Sequence, residues 1–259
     1  MINSDTIQAF RTDFKKYLKP FISAQYKDDI NVIRNIIHTE KVVENILILA
    51  NSLELSENEK HTAEVVALFH DIGRFWMLLQ DQNDMKGYDH AEASVQYLNS
   101  NHTFNSLDDS VRNTLIEIIR NHHLPELSKK KNGATLFFTK LLRDADKLDI
   151  WRSTTDNLVN KSKRSNIALE LDLSEKLVVT DSFCQTIIEG GIPNKQDIVT
   201  LSDYLLYQMS WIFDLNFRKS YQLLNQKQYM RHIYDALPKS NQVFEIYRMI
   251  KIHIENQIL

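Results

Sequence analysis

Five glycines and four prolines are all the chain has to spread over 259 residues. A β-sandwich or barrel of this length must turn many times, and tight turns draw on those two residue types. The scarcity therefore excludes an all-β chain and favours long helices with few breaks. With 43% hydrophobic residues the chain can bury a full core. Its length fits one large domain or two small ones, and the expectation is a single all-α domain over 1–259.

Charge and cysteine usage narrow the function classes. The formal net charge is −3 and there is one cysteine, Cys184. An acidic balance speaks against a surface built to hold long nucleic acid, which calls for a basic footprint. A lone cysteine can form no intrachain disulfide and fits a reducing compartment. No apolar run is long enough to span a bilayer, and the N-terminus lacks a signal-peptide pattern, so a cytoplasmic protein without a membrane partner is expected. Nothing in the pattern fixes an oligomeric state.

Apolar spacing places the elements. Ile7, Phe10, Phe14 and Tyr17 or Leu18 share one side of a first helix, expected to stop at Pro20. From Ile30 to Leu53 apolar residues go nearly all the way round, which predicts a helix buried on most faces. Asn35, His38, Val42 and Asn45 form one stripe on it, so His38 points into a small polar pocket. A third helix should begin near Ser56, with Glu59 as its capping-box partner. Polar residues 80–87 read as a loop, after which His90 opens a helix through Ala93, Val95, Tyr97 and Leu98. Another runs from Asp108 to His123 with Val111, Leu115, Ile118 and Ile119 inward, and Lys129–Lys131 then read as a solvated turn. Leu136 to Trp151 completes the core, with Trp151 and Arg152 available as a pocket wall. The pattern loosens over 160–198, a variable segment or lid, and helices return over 199–259.

The stretch Ala67-Leu68-Phe69-His70-Asp71-Ile72-Gly73-Arg74 carries the chemistry. An imidazole and a carboxylate sit together at the end of an apolar helical run, followed by a glycine where a helix is expected to stop. His supplies a neutral nitrogen ligand, and Asp has two oxygens that can bridge two ions. Adjacent helix residues point about 100° apart, so the pair flanks a site over the helix end. Further candidates follow in separate helical patterns: His38, His90, the pair His122-His123, and Asp146, with Asp144 competing. Of the two adjacent histidines His122 is preferred as a ligand, leaving His123 as an added ligand or an outer proton donor. Arg143, Asp146 and Lys147 share a helix face, a carboxylate flanked by two cations that would suit a metal-bound phosphate.

In this order, His, His-Asp, His, His, Asp, the set resembles the HD-domain metal-dependent phosphohydrolase superfamily, from about Ile30 to Asn157. The resemblance implies an HD-domain helical bundle with extra N-terminal and C-terminal helices packed on it, and a metal-site core over 30–157. It favours Asp146 over Asp144, because the family's metal-binding Asp precedes Lys or Arg. His90 and His122 resemble the members that bind two ions. His38, His70 and Asp146 then bind one, His90 and His122 the other, and Asp71 bridges. Arg74 falls where the family often places a cation that touches substrate phosphate. A nitrogen-rich donor set favours Mn, Fe, Co or Ni over Mg. The implied activity is hydrolysis of a phosphate ester by a metal-activated water, with Asp71, Arg74, Lys147, Arg143 and His123 as the catalytic set. A small phosphorylated substrate, a nucleotide by family analogy, is the implied partner. A di-iron oxygenase of the same fold and a non-catalytic nucleotide-binding module are the competing readings.

Overall fold

The structure is a computed structural model that describes residues 2–23, 26–79, 89–125, 127, 133–159, 173, 174, 176 and 178–259, with 78 and 79 described by backbone only. The expected loop at 80–87, the lysine turn at 129–131 and the whole of 160–172 lie outside the described residues. Two compact units divide the chain, Met1–Asp146 and Lys147–Leu259. The expected core range, 30–157, runs across that boundary.

In the first unit α1 (Ser4–Ile22), α2 (Ile30–Ser52), α3 (Glu57–Phe69), α4 (Ile72–Leu79), α5 (His90–Ser100) and α6 (Asp109–Asn121) precede the start of α7 (Gly133–Val159). Four of these starts have a local cause, at α1, α2, α3 and α5. The Asn3 side chain accepts from Thr6 N at 2.9 Å, and Asp29 Oδ1 accepts from Asn31 N at 2.8 Å. The expected capping-box pair is present, with Ser56 N–H donating to Glu59 Oε2 at 2.8 Å. At α5 the Asp89 carboxylate accepts from Ala91 N and Glu92 N.

Helix α1 continues through Pro20 to Ile22, two residues past its expected stop. Proline withholds one N–H, but so close to the C-terminus the loss is a single bond. Phe21 is fully buried, 5.3 Å from the Phe75 ring, and that packing outweighs the bond. The inner side of α1 meets α3 through edge-to-face aromatics: Phe10 and Phe14 stand 6.1 and 5.7 Å from Phe69, and Phe104 stands 5.5 Å from Phe69. Arg11 clasps the buried Glu64 carboxylate with two hydrogen bonds of 2.5 and 2.7 Å. Phe69 is thus locked immediately before the His-Asp pair.

The expectation that α2 is buried on most faces fails. Val32, Thr39, Val42, Ile46, Leu49 and Ala50 are buried, whereas Ile30, Ile33, Ile37 and Ile48 are exposed. An apolar circumference shows that a helix could be covered all round, but neighbours supply the cover, and α2 packs on α3 and α4 and meets Ala145 and Asp146.

The second unit continues α7 and adds α8 (Asp181–Ile188), α9 (Leu201–Ser210), α10 (Arg218–Gln226), α11 (Tyr229–Ala236) and α12 (Asn241–Ile258), with short 3₁₀ turns at Lys195–Asp197 and Trp211–Asp214. Trp151 is fully buried and donates its indole N–H to Gln208 O at 3.1 Å, and Arg152 pairs with Asp149 and Asp156. The hub is Asp203, whose carboxylate accepts from Thr180 N at 2.8 Å, Thr180 Oγ1 at 3.1 Å and Thr200 N at 3.1 Å. One isolated bridge joins Ser174 and Thr200. No helix among the described residues is long and apolar enough to cross a membrane.

Candidate metal centre

Helix α3 ends at Phe69, and His70 and Asp71 form the turn before α4. This break decides where both side chains go. His70 is fully buried and its Nδ1 lies 2.8 Å from Ala67 O. A carbonyl can only accept, so Nδ1 carries the proton and Nε2 presents a lone pair. His122 repeats the device at the end of α6, with Nδ1 2.7 Å from Ile119 O. Both rings are fixed in tautomer and orientation by the helix each has just left.

His38 projects from α2 to the same point. Its Nε2 lies 3.2 Å from His70 Nε2, 3.2 Å from Asp146 Oδ1 and 3.5 Å from Asp71 Oδ2. Asn45, two turns along α2 on the stripe of His38, donates to Ala145 O at 3.1 Å and sets the register of α2 on the segment that bears Asp146. Asp146 therefore meets the cluster, and Asp144 is fully buried without joining either group of donors able to hold an ion. Those groups are His38, His70 and Asp146, and His70, Asp71 and His122, with each group's ligand atoms within 4.8 Å of one another.

The two oxygens of Asp71 face different partners. Oδ2 is 3.5 Å from His38 Nε2 and 3.6 Å from His70 Nε2, while Oδ1 is 3.6 Å from His90 Nε2 and 3.8 Å from His122 Nε2. Oδ1 is buried and has no hydrogen-bond partner among the described residues. A buried polar atom left bare costs about 1–3 kcal/mol, and a carboxylate oxygen more, so the position suits a cation.

Residues 35–151 match the HD domain family. This part of the chain is similar to HD domains. A solved structure described as a predicted HD superfamily hydrolase, from an uncultured Thermotogales bacterium, is 26% identical over 55% of this chain, with a TM-score of 0.34. The match covers 65% of that protein, so this chain spans less than two thirds of its length. No curated protein matches the chain. HD domains bind divalent ions, and the donor set here fits such ions: lone-pair nitrogens converge on ionised carboxylates.

Charge supports that fit. Burial alone would raise the Asp71 pKa, but Arg74, His70 and His90, with a hydrogen bond from His38, hold its carboxyl well below the usual range. Asp146 is lowered in the same way, against burial, by its bond to His38 and by the other histidines. Burial and then Arg74 push His90 down to about 2, and burial and then His70 push His122 down to about 4. Asp71 and Asp146 ionised, with His90 and His122 neutral at pH 7, is the state a metal requires of them.

The remaining candidates divide. Arg74, on the first turn of α4, donates from Nε to Asp71 Oδ2 at 2.5 Å. His123 lies beside the cluster, its ring 4.9 Å from His90 and its Nε2 3.4 Å from Asp89 Oδ1. Arg143 is turned to the backbone, where Nη1 meets His122 O at 2.9 Å and Leu124 O at 2.5 Å and secures the turn after α6. Lys147, in the second unit, pairs with Asp214. Gly73 does not end a helix, because α3 has already stopped at Phe69 and Gly73 sits inside α4. Sequence reasoning gave no role to Asp89 or Ser94. An Asp one residue before a helical His is a readable N-cap signal; nothing in the sequence marks Ser94.

Proposed function

We propose that this HD domain hydrolyses phosphate esters of small molecules, nucleotides foremost, with two divalent transition ions. His38, His70 and Asp146 would hold one ion, His90 and His122 the other, and Asp71 would bridge. What carries the reading is Asp71, whose two oxygens each face a separate histidine pair, with Oδ1 otherwise unsatisfied. Bound ions supply Lewis acidity at a phosphoryl oxygen and draw the pKa of a shared water towards neutrality.

The chain's own groups do the rest. The bonds from His70 and His122 to their helix carbonyls keep Nε2 aimed inward through a catalytic cycle, which limits reorganisation. Arg74 commits Nε to Asp71, and its terminal N–H groups take the oxygens of the transferring phosphate. His123, tethered to Asp89, hands a proton to the leaving group. Arg143 and Lys147 are engaged with backbone carbonyls and with Asp214, so phosphate contact falls to Arg74. The preference for a nucleotide rests on the family likeness.

Phosphate release and diester opening across mononucleotides, dinucleotides and cyclic nucleotides, with Mn²⁺, test the proposal. Turnover by the wild type that vanishes in Asp71→Ala is expected, and the pattern across the panel separates monoesterase from diesterase. Absence of turnover in both proteins, with bound iron and oxygen uptake, would replace hydrolysis by oxidation.

A further inference from the structure

Helices α4 and α5 cross more closely than ordinary side chains allow. A β-carbon added to Gly73 would lie 2.3 Å from Ser94 N, 2.6 Å from the carbonyl carbon of Ala93 and 2.8 Å from His90 O. All three are backbone atoms, so no rotamer change makes room. One buried hydroxyl fastens the crossing: Gly73 N–H donates to Ser94 Oγ at 3.0 Å, and Ser94 Oγ donates to His90 O at 2.9 Å. The residue two after Asp71 is thereby tied to the backbone of the residue that reaches back to Asp71 Oδ1 at 3.6 Å.

We infer that Gly73 and Ser94 are positioning residues that set the distance from His90 to Asp71 and so create the second ion position. The inference rests on the two-ion reading above. The first position has separate supports, because His38 and Asp146 are registered by Asn45 on Ala145 O and His70 is held by its own helix. Relieving the Gly73 contact, from 2.3 Å to an ordinary separation, requires the two helices to part by roughly 1 Å. Metal–ligand distances tolerate only about 0.2 Å, so such a shift takes the His90 ring out of reach while leaving His38, His70 and Asp146 where they are. A glycine that serves packing alone would lower stability on substitution and leave the ratio of the two affinities unchanged.

The test is Mn²⁺ binding to the full chain by titration calorimetry, with metal analysis and the electron paramagnetic resonance of the bound ions. The wild type should take two ions with a spin-coupled signal. In Gly73→Ala and Ser94→Ala the second ion should bind about 10- to 100-fold more weakly, the first unchanged, and the coupled signal should give way to that of isolated Mn²⁺. Far-UV circular dichroism checks that each variant folds, and Ser94→Ala, which removes a single oxygen, decides the matter if Gly73→Ala does not fold. Two ions bound at wild-type affinity in the folded variants, or equal weakening of both positions, would overturn the inference and leave the hydrolase reading standing. A wild type that takes fewer than two ions would overturn both. Two ions in the wild type, selective loss in the variants and no phosphate-ester turnover would leave the positioning role intact and remove only the proposed activity.

Discussion

Chelation and reloading, followed by scanning calorimetry of the full chain, give the most direct measure of the candidate centre. Asp71 presents one oxygen to His38 and His70 and the other to His90 and His122, so in the proposed two-ion arrangement both positions would depend on it, whereas His90 would serve only one. An ion that binds the folded chain alone stabilises it by RT ln(1 + [L]/Kd), about 2.7 kcal/mol for a free concentration a hundredfold above Kd, and about 5.4 kcal/mol for two such ions. For a chain of this size each kcal/mol moves Tm by about 2–4 °C, so Mn²⁺ should raise the wild-type Tm by roughly 10–20 °C over the EDTA-treated protein. His90→Ala should keep about half of that rise, and Asp71→Ala almost none. A wild-type rise of under about 2 °C at saturating Mn²⁺ would refute the argument that the cluster is built for ions. An Asp71→Ala rise as large as the wild type's would refute the bridging role.

Three other outcomes are expected. Arg74→Ala should bind Mn²⁺ yet lose about 100- to 1000-fold in kcat on a phosphate ester, with Arg74→Lys partly restored; equal rates for all three would remove Arg74 from the chemistry. Asp203→Ala strands the buried N–H of Thr200 and the half-buried donors of Thr180 and should cost roughly 3 kcal/mol in urea unfolding, and a cost below about 1 kcal/mol would show the hub to be dispensable. Burial, with Asp181 and Asp203, pushes the Cys184 thiol up to about 11 from 9.0. The folded chain should then resist an aromatic disulfide reagent at pH 8 and react fully once unfolded. Because the folded pKa is the higher, Cys184 detracts nothing below pH 9, and its contribution to stability is lost progressively from about pH 9 to 11. Prompt labelling of the native protein would contradict this.

Much of the scaffold was legible because its causes are local. The Ser56–Glu59 capping box and the start of a helix at His90 each depend on a few consecutive residues, and both appear as expected. Errors arose where a neighbour decides. Pro20 reads as a stop, but Phe21 finds the ring of Phe75 and the helix continues. The apolar girth of α2 reads as full burial, but cover is a property of the surrounding elements. Gly73 reads as a helix terminator because glycine commonly is one; its use here is a helix crossing with α5, a contact no local pattern records.

The sequence by itself determined the helical class, the order His38, His70-Asp71, His90, His122, Asp146, and the residue types that suit a divalent ion. Tertiary structure alone decided which oxygen of Asp71 faces which histidines and that Arg143 is turned to the carbonyls of His122 and Leu124. The physical reason is one of scale. Residue type and helical period fix what a side chain can donate and roughly which face carries it, to within the 100° step between neighbours. Coordination is decided at tenths of an ångström, and those are set by the packing of α4 on α5 and of α2 on the segment bearing Asp146, contacts between residues about 20 and about 100 positions apart in the chain.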